Sequence, residues 1–202
     1  MTRIAVLLSG RGSNLQALID QVHGDDVEIA CVASDKEDAP GLRRAREANV
    51  PTRAFPLDSF PDREARDAAM ADWLQEEEVG IVVLAGYMAI LSPSFIARFP
   101  DRVVNVHPSL LPAFPGMRAV EQAVEYGVRV FGVTVHLVDD GVDSGAIILQ
   151  RSIELPEMSD PTEVHQLLQG IEHELLPEAV RLLARGAVSR DPENPRRLIL
   201  TP

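Results

Sequence analysis

Two polar side chains interrupt an apolar segment near the middle of the chain, in VVNVHPSLLP (Val103 to Pro112). If this segment is a β-strand, Asn105 and His107 lie two residues apart and point to the same face. An asparagine amide can donate hydrogen bonds to a developing oxyanion, and an imidazole can move protons near neutral pH. Pro108 cannot continue the strand ladder, so the pair is predicted to lie where the strand ends. The spacing is equally compatible with a hydrogen-bonded core histidine beside a structural asparagine.

A cluster of acidic residues, VDDGVDSGAI, joins two later apolar segments. Asp143 is followed at once by a glycine-containing turn into the second of these segments, so its side chain is predicted to point inward. An aspartate near His107 would stabilise the charged imidazole. Asp139 and Asp140 are typical of a solvated turn. Sequence spacing alone cannot bring Asp143 to His107, so this contact is a hypothesis.

The first apolar run ends in SGRGSNL (Ser9 to Leu15), a glycine-rich turn that leads into an amphipathic segment. Glycines let the backbone approach an anion, and a helix N-terminus offers free N–H groups and a partial positive charge. Gly12, Ser13 and Asn14 are therefore candidates for binding a phosphate group. The turn is not a Walker motif and is one glycine short of a dinucleotide fingerprint. It could equally be a tight turn in which Ser13 or Asn14 only caps the helix.

These candidates need a scaffold, and the pattern of apolar runs predicts one. Strands are predicted at 3–10, 27–35, 52–57, 80–88 and 102–108, and helices at 14–22, 41–50, 62–79 and 92–100. Strands that are apolar throughout and separated by helices favour a parallel sheet covered on both faces. In a doubly wound sheet of this kind, ligands bind at the carboxyl ends of the strands. The predicted class is therefore α/β, a single Rossmann-like, mostly parallel sheet.

The pattern changes after Ala119. A helix at 119–128 precedes strands at 130–140 and 145–155 with only a short connection, which predicts an antiparallel C-terminal portion. A long helix is predicted over 160–186, with Asp160 as its cap, and Pro177 is expected to kink or split it. Residues 187–191 and 196–200 are predicted to form a small edge hairpin. No linker or internal repeat divides the chain, so residues 1–202 are predicted to form one domain.

Composition excludes several classes of function. The 202 residues carry a formal net charge of −12, whereas a nucleic-acid partner needs a basic face. No apolar run approaches the ~18 residues of a membrane span, and the N-terminus lacks the form of a signal peptide. Cys31 is the only cysteine, which excludes a disulfide framework and predicts a cytoplasmic location. His107, His136 and His173 lack the paired spacing of a zinc site, so no metal is predicted, and His136 is interpreted as a structural histidine.

Several motifs together resemble those of the phosphoribosylglycinamide formyltransferases, a folate-dependent family of purine synthesis; they are SGRGSNLQALID, VVLAGYMAILS, NVHPSLLPAFPG, GVTVHLVDDGVDSGAIILQ and GIEHELLP. The resemblance covers nearly the whole chain, in order. It implies direct transfer of the formyl group of 10-formyltetrahydrofolate to the amine of 5-phosphoribosylglycinamide, two small-molecule substrates, without a metal. It also implies one formyltransferase domain over residues 1–202. In this domain the N-terminal half, 1–100, binds the ribonucleotide phosphate, and the C-terminal half, 101–202, binds folate and catalyses the reaction. Assembly into a homodimer is left open.

The resemblance also implies roles for individual residues. The implied catalytic residues are Asn105, His107 and Asp143. Gly12, Ser13 and Asn14 match the loop that holds the phosphate, and Glu172 matches a glutamate near the glycinamide amine. The implied folate contacts are Arg63, Met88, Ala89, Ile90, Leu91, Val138, Asp139, Asp140 and Gly141.

The chain departs from the family pattern at two positions. Ala89 stands where the family commonly has a basic residue, and Arg118 replaces a frequent histidine. Two related activities stay open. One is a formyltetrahydrofolate deformylase, which needs no phosphate loop and usually has a further N-terminal domain. The other is methionyl-tRNA formyltransferase, which needs a further basic C-terminal domain. Neither further domain is expected here. A non-catalytic nucleotide-binding module would explain SGRGSN but would leave Asn105, His107 and Asp143 unrelated.

Overall fold

The computed structural model describes residues 1–201. The strands are β1 (Thr2–Leu8), β2 (Val27–Ser34), β3 (Thr52–Ala54), β4 (Ile81–Leu84), β5 (Val103–His107), β6 (Val130–Leu137), β7 (Ile147–Glu154), β8 (Val188–Arg190) and β9 (Leu198–Leu200). The helices are α1 (Ser13–Gln21), α2 (Pro40–Glu47), α3 (Arg63–Glu76), α4 (Pro93–Arg98), α5 (Ala119–Tyr126) and α6 (Pro161–Ala184), with a 3-10 turn at Leu57–Ser59.

The strands form a seven-stranded sheet in the order β3-β2-β1-β4-β5-β6-β7 and a separate two-stranded sheet of β8 and β9. β1 pairs in parallel with β2 and β4, and β6 pairs antiparallel with β7. The predicted α/β class, with a mostly parallel sheet and an antiparallel C-terminal portion, is confirmed. By its internal contacts the chain divides into two compact units, Met1–Val104 and Asn105–Pro202.

The core of the first unit is built on β1. Its last five residues, Ile4 to Leu8, are completely buried, as expected for a central strand covered on both faces. Cys31, on the neighbouring β2, is also completely buried. Burial raises the pKa of its thiol to about 12, with a further contribution from the charge of Glu77.

One strand of the first unit is shorter than the sequence predicts. The apolar run was expected to continue as a strand to Met88, but β4 ends at Leu84. Gly86 has φ +74°, a left-handed conformation that glycine adopts without strain and that turns the chain out of the sheet. The following residues, 85–92, therefore form an irregular segment at the end of β4.

The second unit contains the predicted hairpin and the long helix. Val130 pairs with Glu154 at one end of the β6–β7 ladder, and the register shifts between Val135 and His136. α6 is one continuous helix that includes Pro177, so the alternative that this proline splits the helix is wrong. Proline removes only one backbone donor, and this ring lies buried on the packed face of the helix. β8 and β9 pair as a hairpin of their own, not as an edge of the main sheet.

Within residues 1–201, no helix is both long enough and apolar enough to cross a membrane.

Candidate active site

Three of the predicted site residues lie together in the second unit. Asn105 and His107 are on β5, and Asp143 lies in the connection between β6 and β7. The Nδ1 atom of His107 lies 3.3 Å from Oδ2 of Asp143, and Nδ2 of Asn105 donates to Oδ1 of Asp143 at 3.3 Å. The structure thus joins the three side chains into one hydrogen-bonded group centred on the Asp143 carboxylate.

Both ring nitrogens of His107 face hydrogen-bond acceptors. Nδ1 faces the Asp143 carboxylate, and Nε2 lies 2.9 Å from the backbone carbonyl oxygen of Phe114. A carboxylate and a carbonyl oxygen can only accept, so the ring satisfies both partners only when it carries a proton on each nitrogen. The surroundings of His107 therefore suit the imidazolium form.

His136 is the member of the group that the sequence did not identify as part of a site. Its Nδ1 lies 2.9 Å from the carbonyl oxygen of Leu137, so Nδ1 carries the proton and neutral Nε2 is an acceptor. Nε2 lies 3.2 Å from Nδ2 of Asn105 and 3.5 Å from Oδ1 of Asp143. A polar residue near the end of an apolar strand is the signal that also marked Asn105 and His107, and it could have identified His136.

The amide of Asn105 is fully engaged through its nitrogen. Its two N–H groups have two acceptors within reach, Nε2 of His136 at 3.2 Å and Oδ1 of Asp143 at 3.3 Å. The irregularity in β6 at His136 supports this arrangement, because a bulge changes the direction of a side chain. Any ligand that accepts a hydrogen bond from Asn105 must therefore replace one of these two partners.

The backbone around Asp143 is held in an unusual conformation. Asp143 has φ +50°, a left-handed conformation that aspartate and asparagine tolerate better than most residues. Its Oδ2 accepts a hydrogen bond of 2.8 Å from the N–H of Gly116. Two residues further on, a Cβ atom on Gly145 would lie 1.7 Å from the carbonyl oxygen of Leu137. Only glycine allows this approach, which anchors the connection against the end of β6.

The earlier part of this connection contains the predicted folate contacts Val138, Asp139, Asp140 and Gly141. Oδ1 of Asp139 accepts hydrogen bonds from the N–H of Gly141 at 3.1 Å and from Oγ of Ser144 at 2.7 Å. Asp140 is exposed, as expected for a solvated turn. Asp139 is therefore a structural acceptor inside the turn rather than a free carboxylate.

The Asp143 carboxyl is strongly acidic in this environment. Burial raises its pKa, but the adjacent His136 side chain, the hydrogen bond from the Gly116 N–H and the charge of His107 lower it more. As a result the pKa falls from 3.8 to about 2. The carboxylate is therefore ionised throughout the neutral and mildly acidic range.

This low pKa predicts a pH-dependent difference in stability between the protein and the Asp143→Asn variant. Because the folded pKa lies below the unfolded one, the carboxylate's stabilisation is complete above about pH 4 and is lost as the pH falls toward 2. At pH 5 the variant is expected to lose on the order of 1 kcal/mol of unfolding free energy, because solvent screens a half-buried group, and less at pH 3. Urea unfolding of both proteins at pH 5, 4 and 3 measures the difference. A difference that does not shrink at pH 3 would contradict the assigned environment.

The turn after β5 is held by buried polar contacts. Oγ1 of Thr134 donates to the carbonyl oxygen of Ser109 at 2.7 Å and accepts from the N–H of Leu111 at 3.1 Å. Gln150 donates to both Oγ1 of Thr134 and the carbonyl oxygen of Leu111, each at 2.9 Å.

The hydroxyl of Ser109 also contributes to this turn. Its Oγ donates to the carbonyl oxygen of Ala113 at 2.6 Å. Ser109 therefore has a structural role, and the turn is a rigid support for Asn105 and His107.

Glu172 lies on α6 and is 6% exposed. The next residue in the sequence, His173, has a pKa lowered by burial, which favours the neutral ring. Among residues 1–201, no group of three or more His, Cys, Asp or Glu side chains is arranged to hold a metal ion.

In the first unit, the predicted phosphate loop leads directly into α1. The N-cap is Gly12, with φ +74° and no side-chain hydrogen bond; neither Ser13 nor Asn14 is the capping residue, so the alternative that one of them only caps the helix is wrong. A Cβ atom on Gly12 would lie 2.7 Å from Cα of Gly41, at the start of α2. The loop therefore packs closely against α2, and its helix terminus has no side-chain acceptor at the cap.

A second segment of the first unit carries the predicted folate contacts 88–91. The N–H of Met88 donates to Oγ of Ser9 at 2.8 Å, and the N–H of Ser9 donates to the carbonyl oxygen of Gly86 at 3.0 Å. Met88 and Ile90 are 61% and 66% exposed. Ser9 thus ties this segment to the start of the phosphate loop, and the two large apolar side chains stay in solvent.

The other residues of this group differ in exposure. Leu91 is buried, Ala89 is half-buried, and Arg63 is exposed in the first turn of α3. The exposed guanidinium of Arg63 is available to a ligand.

A family model described as formyl transferase matches residues 2–180. The chain is 41% identical over 188 residues to the phosphoribosylglycinamide formyltransferase of Haemophilus influenzae, covering 92% of this chain and 89% of that protein. It is 42% identical over 188 residues to the human trifunctional purine biosynthetic protein adenosine-3, covering 92% of this chain but only 19% of that protein.

Solved structures of high similarity exist as well. Glycinamide ribonucleotide transformylase 1 from Symbiobacterium toebii matches with a TM-score of 0.95 and 43% sequence identity, covering 100% of this chain and 95% of that chain. The match includes the residues of both compact units.

Proposed function

Because the chain belongs to the formyl transferase family, we propose that it transfers the formyl group of 10-formyltetrahydrofolate to the amine of 5-phosphoribosylglycinamide. The products are formylglycinamide ribonucleotide and tetrahydrofolate, in de novo purine biosynthesis. The observation that carries the proposal is the hydrogen-bonded group of Asn105, His107 and Asp143 in a chain 41% identical to a relative named for this activity.

The reaction is a direct acyl transfer. The amine nitrogen of the glycinamide attacks the formyl carbon, a C–N bond forms, and the formyl oxygen becomes an oxyanion in a tetrahedral intermediate. The bond from the formyl carbon to N10 of the folate then breaks, and the proton lost by the amine is taken up by N10. No covalent enzyme intermediate is needed, in agreement with the structural role of Ser109.

Asn105 and His107 stabilise the oxyanion in this proposal. Donors fixed in place before the reaction stabilise charge as it develops, and the imidazolium of His107 adds a positive charge. Both N–H groups of Asn105 are engaged by His136 and Asp143. The formyl oxygen therefore replaces one of these acceptors when the donor binds, and the remaining contact keeps the amide oriented.

Asp143 holds the charge of His107 and orients a water molecule that carries the proton from the amine to N10. A carboxylate with a pKa of about 2 is too weak a base to keep a proton, so it positions the water rather than storing the proton. The hydrogen bond from the N–H of Gly116 holds the carboxylate in place for this role.

The remaining predicted residues bind the substrates. Gly12, Ser13 and Asn14 bind the ribonucleotide phosphate at the N-terminus of α1, where backbone N–H groups and the helix dipole favour an anion. Glu172 accepts a hydrogen bond from the glycinamide amine. The folate is held by Arg63, by the backbone of Met88, Ala89, Ile90 and Leu91, and by the connection from Val138 to Gly141.

One assay tests the proposed function. Purified protein is incubated with 10-formyltetrahydrofolate, with and without 5-phosphoribosylglycinamide, and tetrahydrofolate release is measured. Release that requires the ribonucleotide supports the transferase. Release that ignores the ribonucleotide would identify a deformylase, and no release under either condition would refute a formyl-transferring enzyme.

A charge placed in the phosphate loop tests the ribonucleotide site. Ser13→Asp is expected to raise the KM for the ribonucleotide about tenfold or more, because a carboxylate repels the phosphate at close range. An aspartate in the first turn of a helix is compatible with folding, so thermal stability should be kept. Ser59→Asp, at an exposed serine of the same unit, is the matched control. Equal KM values for the two variants would place the phosphate elsewhere.

A further inference from the structure

A buried ion pair lies inside the first unit, at the start of α3. The side chains of Arg66 and Asp67 are 3% and 0% exposed, and Nη2 of Arg66 lies 2.6 Å from Oδ1 of Asp67. Nε of Arg66 donates to the same oxygen at 2.8 Å. The two residues are sequence neighbours, and they are the only buried charged residues of α3.

Both partners also reach the irregular segment that follows β4. Nη2 of Arg66 donates to the carbonyl oxygen of Ile90 at 3.3 Å. Oδ2 of Asp67 accepts a hydrogen bond of 2.6 Å from the N–H of Ser92. One ion pair therefore holds two backbone groups of the same short segment, one on each side of Leu91.

Stability alone does not explain this pair. Removing two charges from water is costly, and a buried ion pair is often no more stabilising than apolar residues of similar volume. An apolar pair, however, could not bond to the carbonyl of Ile90 and the N–H of Ser92. Both groups lie outside any helix or strand ladder. Ser92 is completely buried, so its N–H would be costly to leave unpaired.

We propose that Arg66 and Asp67 are positioning residues for the formyl donor: they fix the backbone of Met88 to Leu91 in the conformation that binds the folate. This inference rests on the proposed function, because it concerns the same folate segment. The pair acts through the backbone and touches no reacting atom. Arg66 also does not replace the basic residue that is missing at Ala89, since its guanidinium is buried and already bonded.

The test compares Arg66→Lys with the unaltered protein. Lysine keeps a buried positive charge beside Asp67, so the variant should fold. A single ammonium group lacks the planar fork that bonds Asp67 and the Ile90 carbonyl together. The KM for 10-formyltetrahydrofolate is expected to rise on the order of tenfold, because small misplacements of binding groups carry large penalties. The KM for the ribonucleotide and kcat should stay within about twofold.

A control and a second readout separate positioning from general stability. Arg98→Lys alters a partly exposed ion pair with Asp72 that joins α3 and α4. No contact described for Arg98 reaches the segment, so this variant should leave the folate KM unchanged. Amide hydrogen exchange at Ser92 should accelerate in Arg66→Lys and not in Arg98→Lys. A second variant, Arg66→Met, should show the same selective rise in folate KM.

The outcomes are distinct from those of the function test. Turnover by the unaltered protein decides the proposed function by itself. If the protein turns over but Arg66→Lys and Arg66→Met keep the original folate KM, the positioning role is refuted. It is refuted equally if both KM values rise together with a fall in thermal stability, because that pattern describes a merely structural pair.

Discussion

Replacing Asn105 with alanine is expected to lower kcat by about 10²–10³, the usual effect of removing one oxyanion donor. The amide is the neutral donor placed beside the imidazole of His107, and its two N–H groups are already oriented by His136 and Asp143. The KM values for both substrates should change little, because the interaction strengthens only as the oxyanion forms. Steady-state kinetics with each substrate varied in turn measures these values.

The matched control for this variant is Ser109→Ala. Ser109 is buried in the turn just after β5, and its hydroxyl bonds only to the carbonyl of Ala113 among the contacts described. Its loss should change kcat by no more than a few-fold. An Asn105→Ala protein with the original kcat would remove Asn105 from the mechanism, and a large loss in Ser109→Ala would reopen the question of a covalent intermediate.

Asp143→Asn is expected to lower kcat by about 10²–10⁴, the range attributed to acid–base and proton-transfer groups. Asparagine is the informative replacement because it tolerates the left-handed backbone at this position, φ +50°, better than alanine does. The carboxylate accepts hydrogen bonds from N–H groups of His107, Asn105 and Gly116. An amide has a single oxygen acceptor, so at least one of these contacts is lost together with the negative charge.

Asp160→Asn is the control for this second variant. It makes the same chemical change at the N-cap of α6, where asparagine caps a helix as well as aspartate does. Its kcat should equal that of the unaltered protein. A kcat for Asp143→Asn within a few-fold of the original would show that neither the charge nor the water orientation assigned to Asp143 is needed.

The site was partly predictable from sequence because its residues follow strand periodicity. The two-residue spacing of Asn105 and His107 on an apolar strand marks a shared face, and the glycine turn after Asp143 marks a loop close to a strand end. The partnership of His136 with Asn105 depends on the order of strands in the sheet and on a register shift in β6. Neither property is encoded in the local pattern of apolar residues.

The helix that carries Arg66 and Asp67 shows a second limit of prediction from sequence. Its sequence pattern predicts a polar face, and charged residues on such a face are normally solvated. The structure buries both because backbone groups at Ile90 and Ser92 complete their hydrogen bonds. Partners supplied by an irregular segment more than twenty residues away leave no signature in helical periodicity.

The single cysteine has a practical consequence for experiments in solution. Only the thiolate reacts with alkylating probes, and Cys31 is completely buried with a thiol pKa of about 12. The unaltered protein therefore provides a background that thiol reagents do not label. A cysteine introduced at Val142, which is 61% exposed and adjacent to Asp143, would carry a single fluorophore. Its emission would report on the connection between β6 and β7 while substrates are added.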